Sequence, residues 1–305
     1  MKKPIVVIAG PTASGKTALS IALAKAFDGE IVSADSMQIY KFMNIGTAKP
    51  TEEEKSGIVH HLMDIVEPSV NFSAADYCEL AHRTIADIHQ RGKLPIIVGG
   101  TGLYIDSLVN NVDFGVPDSD DAIRSELEEL ARNEGNEAVH KILAEIDPET
   151  AEKYHPNNLR RIIRAIEFYK MSGTTISAHA KEEKNSPYRA VWLALDWDRA
   201  VLYDRINRRV DIMMTEGLLD EVKALDGTYS RNSTAMQGIG YKEFFDYLDG
   251  FASLEDTLER VKMNSRRYAK RQLTWFRRNS DIHWLVPDND LNSNAKEIIK
   301  TNLNI

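Results

Sequence analysis

The sequence predicts an α/β fold in which a parallel sheet, covered by helices, is interrupted by an all-helical insert. Three observations carry this. Over the first hundred residues, short apolar runs alternate with amphipathic stretches, as strands joined by crossover helices do. From residue 118 to 179 apolar residues recur only at helical spacing. Strand character then returns at residue 190, so the chain comes back to the sheet it left.

The first strand is expected at residues 5–9, a run of β-branched and small apolar side chains. It leads into Gly10-Pro11-Thr12-Ala13-Ser14-Gly15-Lys16-Thr17, after which residues 18–26 read as a helix. Further strands are expected at 31–34 and 94–98, with a helix at 74–90. Asp113-Phe114-Gly115-Val116-Pro117-Asp118 reads as the loop that opens the insert. Inside the insert Ile123, Leu127 and Leu130 lie one above another on a helix, and Val139, Ile142 and Leu143 continue the series. Leu159, Ile162, Ile163 and Ile166 mark its last helix, with Asn157 or Asn158 as N-cap and Gly173 as terminator. A strand at 190–195, a long helix at 200–225 and a loop holding Gly238 and Gly240 come next. A basic amphipathic helix at 254–278 and a short strand at 282–286 precede a polar tail with weak signals. The expected domains are a core of residues 1–112 and 190–305 and an insert of residues 113–189.

At 305 residues, 43% hydrophobic and 28% charged, the chain has the composition of a soluble globular protein with well-buried cores. A single cysteine, Cys78, rules out an internal disulfide and suits a reducing compartment. The apolar run after Met1-Lys2-Lys3 is too short for a signal-peptide core, and no later run approaches a membrane span. The expected location is the cytoplasm, with no membrane partner. Net charge is 38 − 46 = −8, which alone argues against a nucleic-acid partner. The charge is segregated, however: residues 118–152 hold twelve acidic and three basic side chains, whereas 260–278 hold eight basic and no acidic ones. Screening confines each patch to a reach of about 8 Å, so the local balance matters more than the sum.

The segment from Gly10 to Thr17 fits the spacing G-x-x-x-x-G-K-[ST] of ATP-binding loops, between a strand and a helix. Successive backbone N–H groups and a helix N-terminus point at one anion there, and Lys16 adds a full charge. The Thr17 hydroxyl is placed to ligate Mg²⁺, a cation that keeps water and phosphate oxygens as its other ligands. Asp35 ends the second strand. It reads either as an ordinary turn carboxylate or as a group that ligates Mg²⁺ through water or receives a proton from a nucleophile. The third strand ends in Gly99-Gly100-Thr101 where an NTP hydrolase would carry a metal-binding aspartate. Paired glycines allow a ligand to approach the backbone closely. All three strand ends should converge on one crevice.

Arg205, Arg208 and Arg209 offer guanidinium groups for the open side of a phosphate site, and the sequence does not choose among them. Arg160, Arg161 and Arg164 share a helix face opposite the apolar stripe, which is either a solvated surface or a contact with nucleic-acid phosphates. The basic helix mixes Arg266, Arg267, Lys270, Arg271, Arg277 and Arg278 with Tyr268, Trp275 and Phe276, a composition that suits nucleic acid; Trp275 is expected in the core. The eight histidines show no metal spacing.

The phosphate loop, Asp35-Ser36-Met37-Gln38-Ile39-Tyr40, Asn44-Ile45-Gly46-Thr47-Ala48-Lys49-Pro50 and Phe72-Ser73-Ala74-Ala75-Asp76-Tyr77 together resemble one family. So do Val98-Gly99-Gly100-Thr101 with Leu103-Tyr104, His155-Pro156-Asn157, Gly238-Ile239-Gly240-Tyr241 and Tyr268-Ala269-Lys270-Arg271-Gln272-Leu273-Thr274-Trp275. These blocks run in order across residues 4–285 and resemble the tRNA dimethylallyltransferases, in the bacterial type without a zinc finger. The resemblance implies a P-loop kinase-like core and transfer of a dimethylallyl group from its diphosphate to N6 of adenosine 37 beside the anticodon. The loop then holds the diphosphate of dimethylallyl diphosphate rather than ATP, with Mg²⁺. By the same resemblance Asp35 is the general base, Thr101 contacts substrate, and Arg209 with Lys16 stabilises the departing pyrophosphate. Contacts with the tRNA anticodon stem-loop are implied for Asp35, Ser36, Met37, Gln38, Thr101, Arg124, Arg160, Arg161, Arg164, Gln237, Gly238, Gly240, Tyr241 and Lys242. The insert is expected to grip the stem-loop, and the chain to act as a monomer. An adenylate isopentenyltransferase, a small-molecule kinase and a non-catalytic tRNA-binding protein are the competing readings of the same loop.

Overall fold

Residues 2–112, 120–179 and 186–305 are described by the computed structural model; the loop expected at 113–118 lies outside them. Six strands make one wholly parallel sheet: β1 (Lys3–Ala9), β2 (Gly29–Ser33), β3 (His60–His61), β4 (Leu94–Gly99), β5 (Tyr188–Leu195) and β6 (Ile282–Leu285). Their spatial order is β3-β2-β4-β1-β5-β6. A strand flanked by neighbours and covered on both faces must be apolar at successive positions. In β1, Ile5, Val6, Val7, Ile8 and Ala9 are all fully buried.

The helix Lys16–Ala26 packs Leu19, Leu23 and Ala24 on the side chains of Val6, Ile8, Ile31, Ile96 and Leu193. It begins two residues before the expected start, because the phosphate loop runs into its first turn without a break. The helix Leu291–Leu303 covers the same core with Ala295, Ile299 and Leu303, spaced by four on one narrow stripe. That stripe sits among asparagines and lysines, which is why the tail carried so little signal. The helices Ala74–Gln90 and Gly102–Val109 also contact the sheet, and the long helix Leu254–Phe276 contacts Gly102–Val109.

The single helix expected at 200–225 is two, Arg199–Thr215 and Leu218–Asp226. Gly217, at φ 103°, turns the chain between them, a conformation that other residues adopt only with strain.

The chain divides into two compact units, Met1–Asn111 with Ser186–Ile305, and Val112–Asn185. Strand β5 starts at Tyr188, beside Lys3 of β1, earlier than residue 190. The described part of the second unit is helical throughout: Asp121–Glu134, Asn136–Ile146, Pro148–Lys153, Leu159–Ser172 and Ile176–His179. Its core joins Leu127, Val139, Leu143, Ile162, Ile163 and Ile166. Asn158 takes the N-cap position of Leu159–Ser172, and Gly173 ends it in the left-handed conformation at φ 73°.

Candidate active site

Strands β2, β4 and β1 are neighbours, and Ser33 aligns with Val98 while Ala9 aligns with Gly99. Their carboxyl ends therefore deliver Asp35, Gly99-Gly100-Thr101 and the phosphate loop to one crevice. Its volume is about 460 Å³, lined by Thr12 to Thr17, Asp35, Gln38, Gly99, Gly100, Arg205, Arg209, Tyr268 and Gln272 among others.

The loop is shaped by three left-handed residues, Gly10 (φ 138°), Ala13 (φ 61°) and Gly15 (φ 97°). Such alternation turns successive amides toward one concavity. Distant side chains take the loop's carbonyls from outside: the Trp197 indole donates to Ser14 O at 2.7 Å, and Arg205 Nε donates to Ala13 O at 2.9 Å. Lys16 Nζ donates across the loop to Pro11 O at 2.6 Å, and Ser14 Oγ donates to the same carbonyl at 2.9 Å. Arg209 donates to the Thr12 hydroxyl. With the carbonyls occupied and the helix Lys16–Ala26 starting here, the concavity presents donors and positive charge.

The structure distinguishes the three arginines. Arg205 and Arg209 face the loop, and among the described residues neither forms an ion pair; Arg205 also lies 4.4 Å from the Trp197 ring centre. Arg208 stands at the rim, exposed and paired with Asp204 at 2.8 Å. Burial, and next the nearby Arg209, push the Lys16 ammonium down to about 7, with Asp35 pulling the other way. Burial likewise lowers Arg209, opposed by Asp35 and helped by Arg205. Three basic side chains crowd one site, and a bound anion would favour the charged forms of Lys16 and Arg209.

Asp35 Oδ1 accepts from the backbone N–H of Met37 at 2.9 Å and of Gln38 at 3.3 Å, so the carboxylate fixes its own turn while lining the crevice. The turn role is thus present in the structure. The Thr101 hydroxyl accepts from Ser36 N–H at 3.0 Å and donates to Ser36 Oγ at 3.2 Å, tying the ends of β2 and β4. Burial, then the Asp35 charge, push the Tyr268 hydroxyl up to about 12, and the nearby Thr101 side chain opposes the rise. Gln38 spends its amide on Thr47 O and Ala48 O at 3.2 and 3.1 Å.

The paired glycines make room for the protein itself. A Cβ on Gly99 would lie 2.1 Å from Ala34 O, and one on Gly100 would lie 2.1 Å from Gln272 Nε2. They admit protein backbone and a glutamine, and both also line the crevice. On Gly102 a Cβ would strike the Trp275 ring at 2.4 Å. Trp275 is half-buried and donates to Asp106 at 2.7 Å, so it stitches the long helix to Gly102–Val109.

No group of three or more His, Cys, Asp or Glu able to hold a metal occurs among the described residues. Thr17 is exposed at the crevice, which Asp35 also lines. One hydroxyl and one carboxylate, with water and diphosphate supplying the rest, is a donor set that fits Mg²⁺.

The segment expected to meet RNA around residue 240 divides. Gln237 and Lys242 are exposed, whereas Gly238 and Gly240 are buried. Tyr241 corrects the expectation: it is 0% exposed, and its hydroxyl donates to Glu221 at 2.8 Å, so its side chain is core. Glu221, which the sequence did not single out, also accepts from the N–H groups of Asn44, Ile45 and Gly46 at 2.9–3.0 Å. It thereby holds the turn in which a Cβ on Gly46 would strike the Tyr241 ring at 2.5 Å.

In the second unit Arg160 and Arg161 are exposed on Leu159–Ser172. Arg124 and Arg164 instead share Glu167, a fully buried carboxylate reached at 2.8 and 2.7 Å. On the long helix Arg267, Lys270, Arg271, Arg277 and Arg278 are exposed, while Ala269, Gln272 and Phe276 are buried.

The family model described as "IPP transferase" matches residues 38–279. A protein of Bacillus velezensis named tRNA dimethylallyltransferase is 52% identical over 302 residues, 98% of this chain and 96% of its own. The Bacillus subtilis protein of the same name is 51% identical over 97% of this chain and 96% of its own. Among solved structures, the full-length tRNA isopentenylpyrophosphate transferase of Bacillus halodurans is 46% identical, with a TM-score of 0.75 over 99% of both chains. A eukaryotic dimethylallyltransferase described as acting on tRNA is 33% identical, with a TM-score of 0.83 over 98% of this chain and 79% of its own.

Proposed function

This chain belongs to the IPP transferase family, and we propose that it transfers a dimethylallyl group from dimethylallyl diphosphate to N6 of adenosine 37 in tRNA. The observation that carries the reading is the make-up of the crevice. Inward amides, Lys16 and two arginines that pair with no carboxylate among the described residues line the crevice, and Asp35 belongs to the same cleft. An anion bound there is placed opposite a base. Relatives of about half identity over nearly the full chain carry the name tRNA dimethylallyltransferase, which favours an RNA acceptor over free adenylate or a kinase substrate.

In the reaction the adenine N6 forms a bond to the allylic carbon as that carbon's bond to the diphosphate oxygen breaks. Most of the barrier is charge separation, and donors fixed in advance on the leaving oxygens act where electrostatic preorganisation contributes most. The loop amides, Lys16 and Arg209 supply those donors; Arg205 holds the loop in shape. Asp35 accepts the N6 proton, since an aromatic amine is a poor nucleophile until it loses that proton. Thr101 and Ser36 orient the acceptor beside it. Thr17 is the protein ligand for Mg²⁺, which when bound adds positive charge to the diphosphate. The apolar part of the crevice, Ile31, Ala48, Pro50, Met63 and Val98, takes the prenyl tail. Burying five carbons there contributes about 3–4 kcal/mol at roughly 0.8 per carbon.

The acceptor is a base in a single-stranded loop, which leaves its stack at lower cost than one in a duplex. Arg124, Arg160, Arg161 and Arg164 of the second unit, with Gln237 and Lys242, contact RNA; Gly238 and Gly240 shape that last segment. No described helix is long and apolar enough to cross a membrane, and the enzyme works on tRNA in the cytoplasm as a monomer.

The test incubates the protein with labelled dimethylallyl diphosphate, Mg²⁺ and either anticodon stem-loop RNA or AMP, with γ-labelled ATP in a parallel reaction. Label is expected on the RNA alone. Label on AMP but not RNA, or transfer of the γ-phosphate, overturns the proposal.

A further inference from the structure

Thr12 is gripped from two sides. Its hydroxyl accepts from Arg209, and its backbone N–H donates to Gln272 Oε1 at 3.0 Å. The other end of the same amide, Gln272 Nε2, donates to Gly100 O at 2.9 Å. Gln272 is 5% exposed and lies on the long helix, 260 residues from Thr12 and 172 from Gly100 in sequence. One planar group thus spans the gap between the phosphate loop and the end of β4. Gly100 is shaped to receive it, because a Cβ there would occupy the space of the amide nitrogen.

The neighbouring turns of the long helix reach the same structure. Tyr268, four residues earlier, lies beside Thr101, and Trp275, three residues later, bonds Asp106. Arg266 donates to Asn207 at 2.5 Å, which fixes the long helix against Arg199–Thr215, the helix that supplies Arg209. Tyr268, Gln272 and Trp275, spaced by four and three, share one helix face, while Arg266 holds the helix from another.

We propose that Gln272 is a positioning residue for the transfer reaction. It sets the distance and angle between the loop that holds the leaving diphosphate and the Gly100-Thr101 segment that orients the acceptor. The inference rests on the functional reading above. Its chemical basis is that a buried primary amide offers one acceptor and two donors in a fixed plane, so it reports the separation of two backbones to within a hydrogen-bond length. A purely structural residue at this place would need only bulk. Here the acceptor end meets a donor of the loop and the donor end meets an acceptor of β4, which determines the amide's orientation. Displacements of about 1 Å between reacting groups cost on the order of 100-fold in rate, which makes such a spacer consequential through the geometry it sets.

The test compares wild type with Gln272→Met, which keeps the volume and removes both hydrogen bonds. Single-turnover rate, the KM for each substrate, inorganic pyrophosphate affinity by calorimetry and Tm are measured. The single-turnover rate is expected to fall by about 10- to 100-fold, with both KM values and the pyrophosphate dissociation constant changing less than about threefold. A rate within about threefold of wild type, or a loss confined to KM, overturns the proposal. Should Gln272→Met fold poorly, the pair Gly100→Ala and Gly100→Ala/Gln272→Ala decides. The added methyl is expected to lower Tm in the single variant, and the shortened side chain to restore Tm but not rate in the double. Restoration of both shows that Gln272 only fills space. Lys16→Met serves as the reference for the underlying reading: if it leaves pyrophosphate affinity unchanged, the loop does not hold the donor, and that reading fails independently of Gln272.

Discussion

Arginine is held in two ways in this molecule. In the first unit Arg205 and Arg209 lean on neutral partners, a backbone carbonyl and a threonine hydroxyl, and no carboxylate among the described residues pairs with them. In the second unit Arg124 and Arg164 converge on one buried carboxylate, while Arg160 and Arg161 are exposed on the helix surface. The first arrangement is poised for a compact, multiply charged anion and is costly without it, as the lowered Lys16 shows. The second gives a fixed pair of guanidinium groups with one net positive charge, suited to a string of single phosphates spread over a surface. Concentrated charge serves chemistry; distributed charge serves grip. The same residue type therefore should give different phenotypes in the two units.

The largest expected effect comes from the group facing the concentrated charge. Asp35→Asn keeps an oxygen for the turn that Met37 and Gln38 close, but no longer accepts a proton. Turnover is expected to fall by about 100- to 10,000-fold in single-turnover assays while RNA affinity by filter binding stays within about threefold. Full turnover in that variant removes Asp35 from the chemistry. Next is Arg209→Met, expected to lower turnover by roughly 100-fold or more, against less than about threefold for Arg208→Met at the rim. Equal losses at 208 and 209 would contradict the assignment of Arg209 by its place over Thr12.

A smaller effect concerns stability of the second unit. Burial raises the pKa of Glu167, yet hydrogen bonds from Arg164, Arg124 and Asp120 N–H outweigh it, and the carboxyl is held below its usual range. A lowered carboxyl stabilises the folded state above its unfolded pKa, and that contribution is lost as pH falls through the lower folded value. Glu167→Gln is expected to destabilise by about 1–3 kcal/mol at neutral pH in denaturant titrations, with the difference from wild type shrinking in acid. A difference independent of pH would show that the charge of Glu167 contributes nothing.

The smallest signal is protonic. With Lys16 at about 7 in the free protein, a bound anion raises its pKa, so pyrophosphate binding at pH 8 takes up a proton. Calorimetry in two buffers of different ionisation enthalpy should show this uptake in wild type and not in Lys16→Met. Uptake that persists in the variant would come from pyrophosphate itself.

What was legible in the sequence was local. The phosphate loop, Asp35 and Thr101 each sit where a strand ends, and strand ends are marked by a change from apolar to small or polar residues within a few positions. The helical second unit was readable because its stripes repeat within single helices. The residues that shape the crevice from outside were not. Trp197, Gln272 and Glu221 act on segments 183, 260 and 175 to 177 residues away, and a lone glutamine inside an amphipathic helix or a tryptophan in a connecting loop carries no mark of its distant partner. Gly99 and Gly100 are incomplete signals for the same reason: a glycine announces close approach without saying what approaches. Tyr241 misled because a motif shared across a family is kept equally by a substrate contact and by a core tyrosine that fixes a turn. The choice of Arg205 and Arg209 over Arg208 needed only the helix's facing, which one periodicity does not fix without a known neighbour.

The most direct test crosses the two arginine sets. Pyrophosphate affinity and the salt dependence of stem-loop RNA binding are measured for wild type, Arg209→Met and Arg160→Ala/Arg161→Ala. Arg209→Met should weaken pyrophosphate by about tenfold or more and leave the RNA salt slope unchanged, whereas the double variant should lower that slope by about 1 to 2 and leave pyrophosphate alone. Arg209→Met that binds pyrophosphate as tightly as wild type, or a double variant with an unaltered slope, would contradict the division of labour on which the account stands.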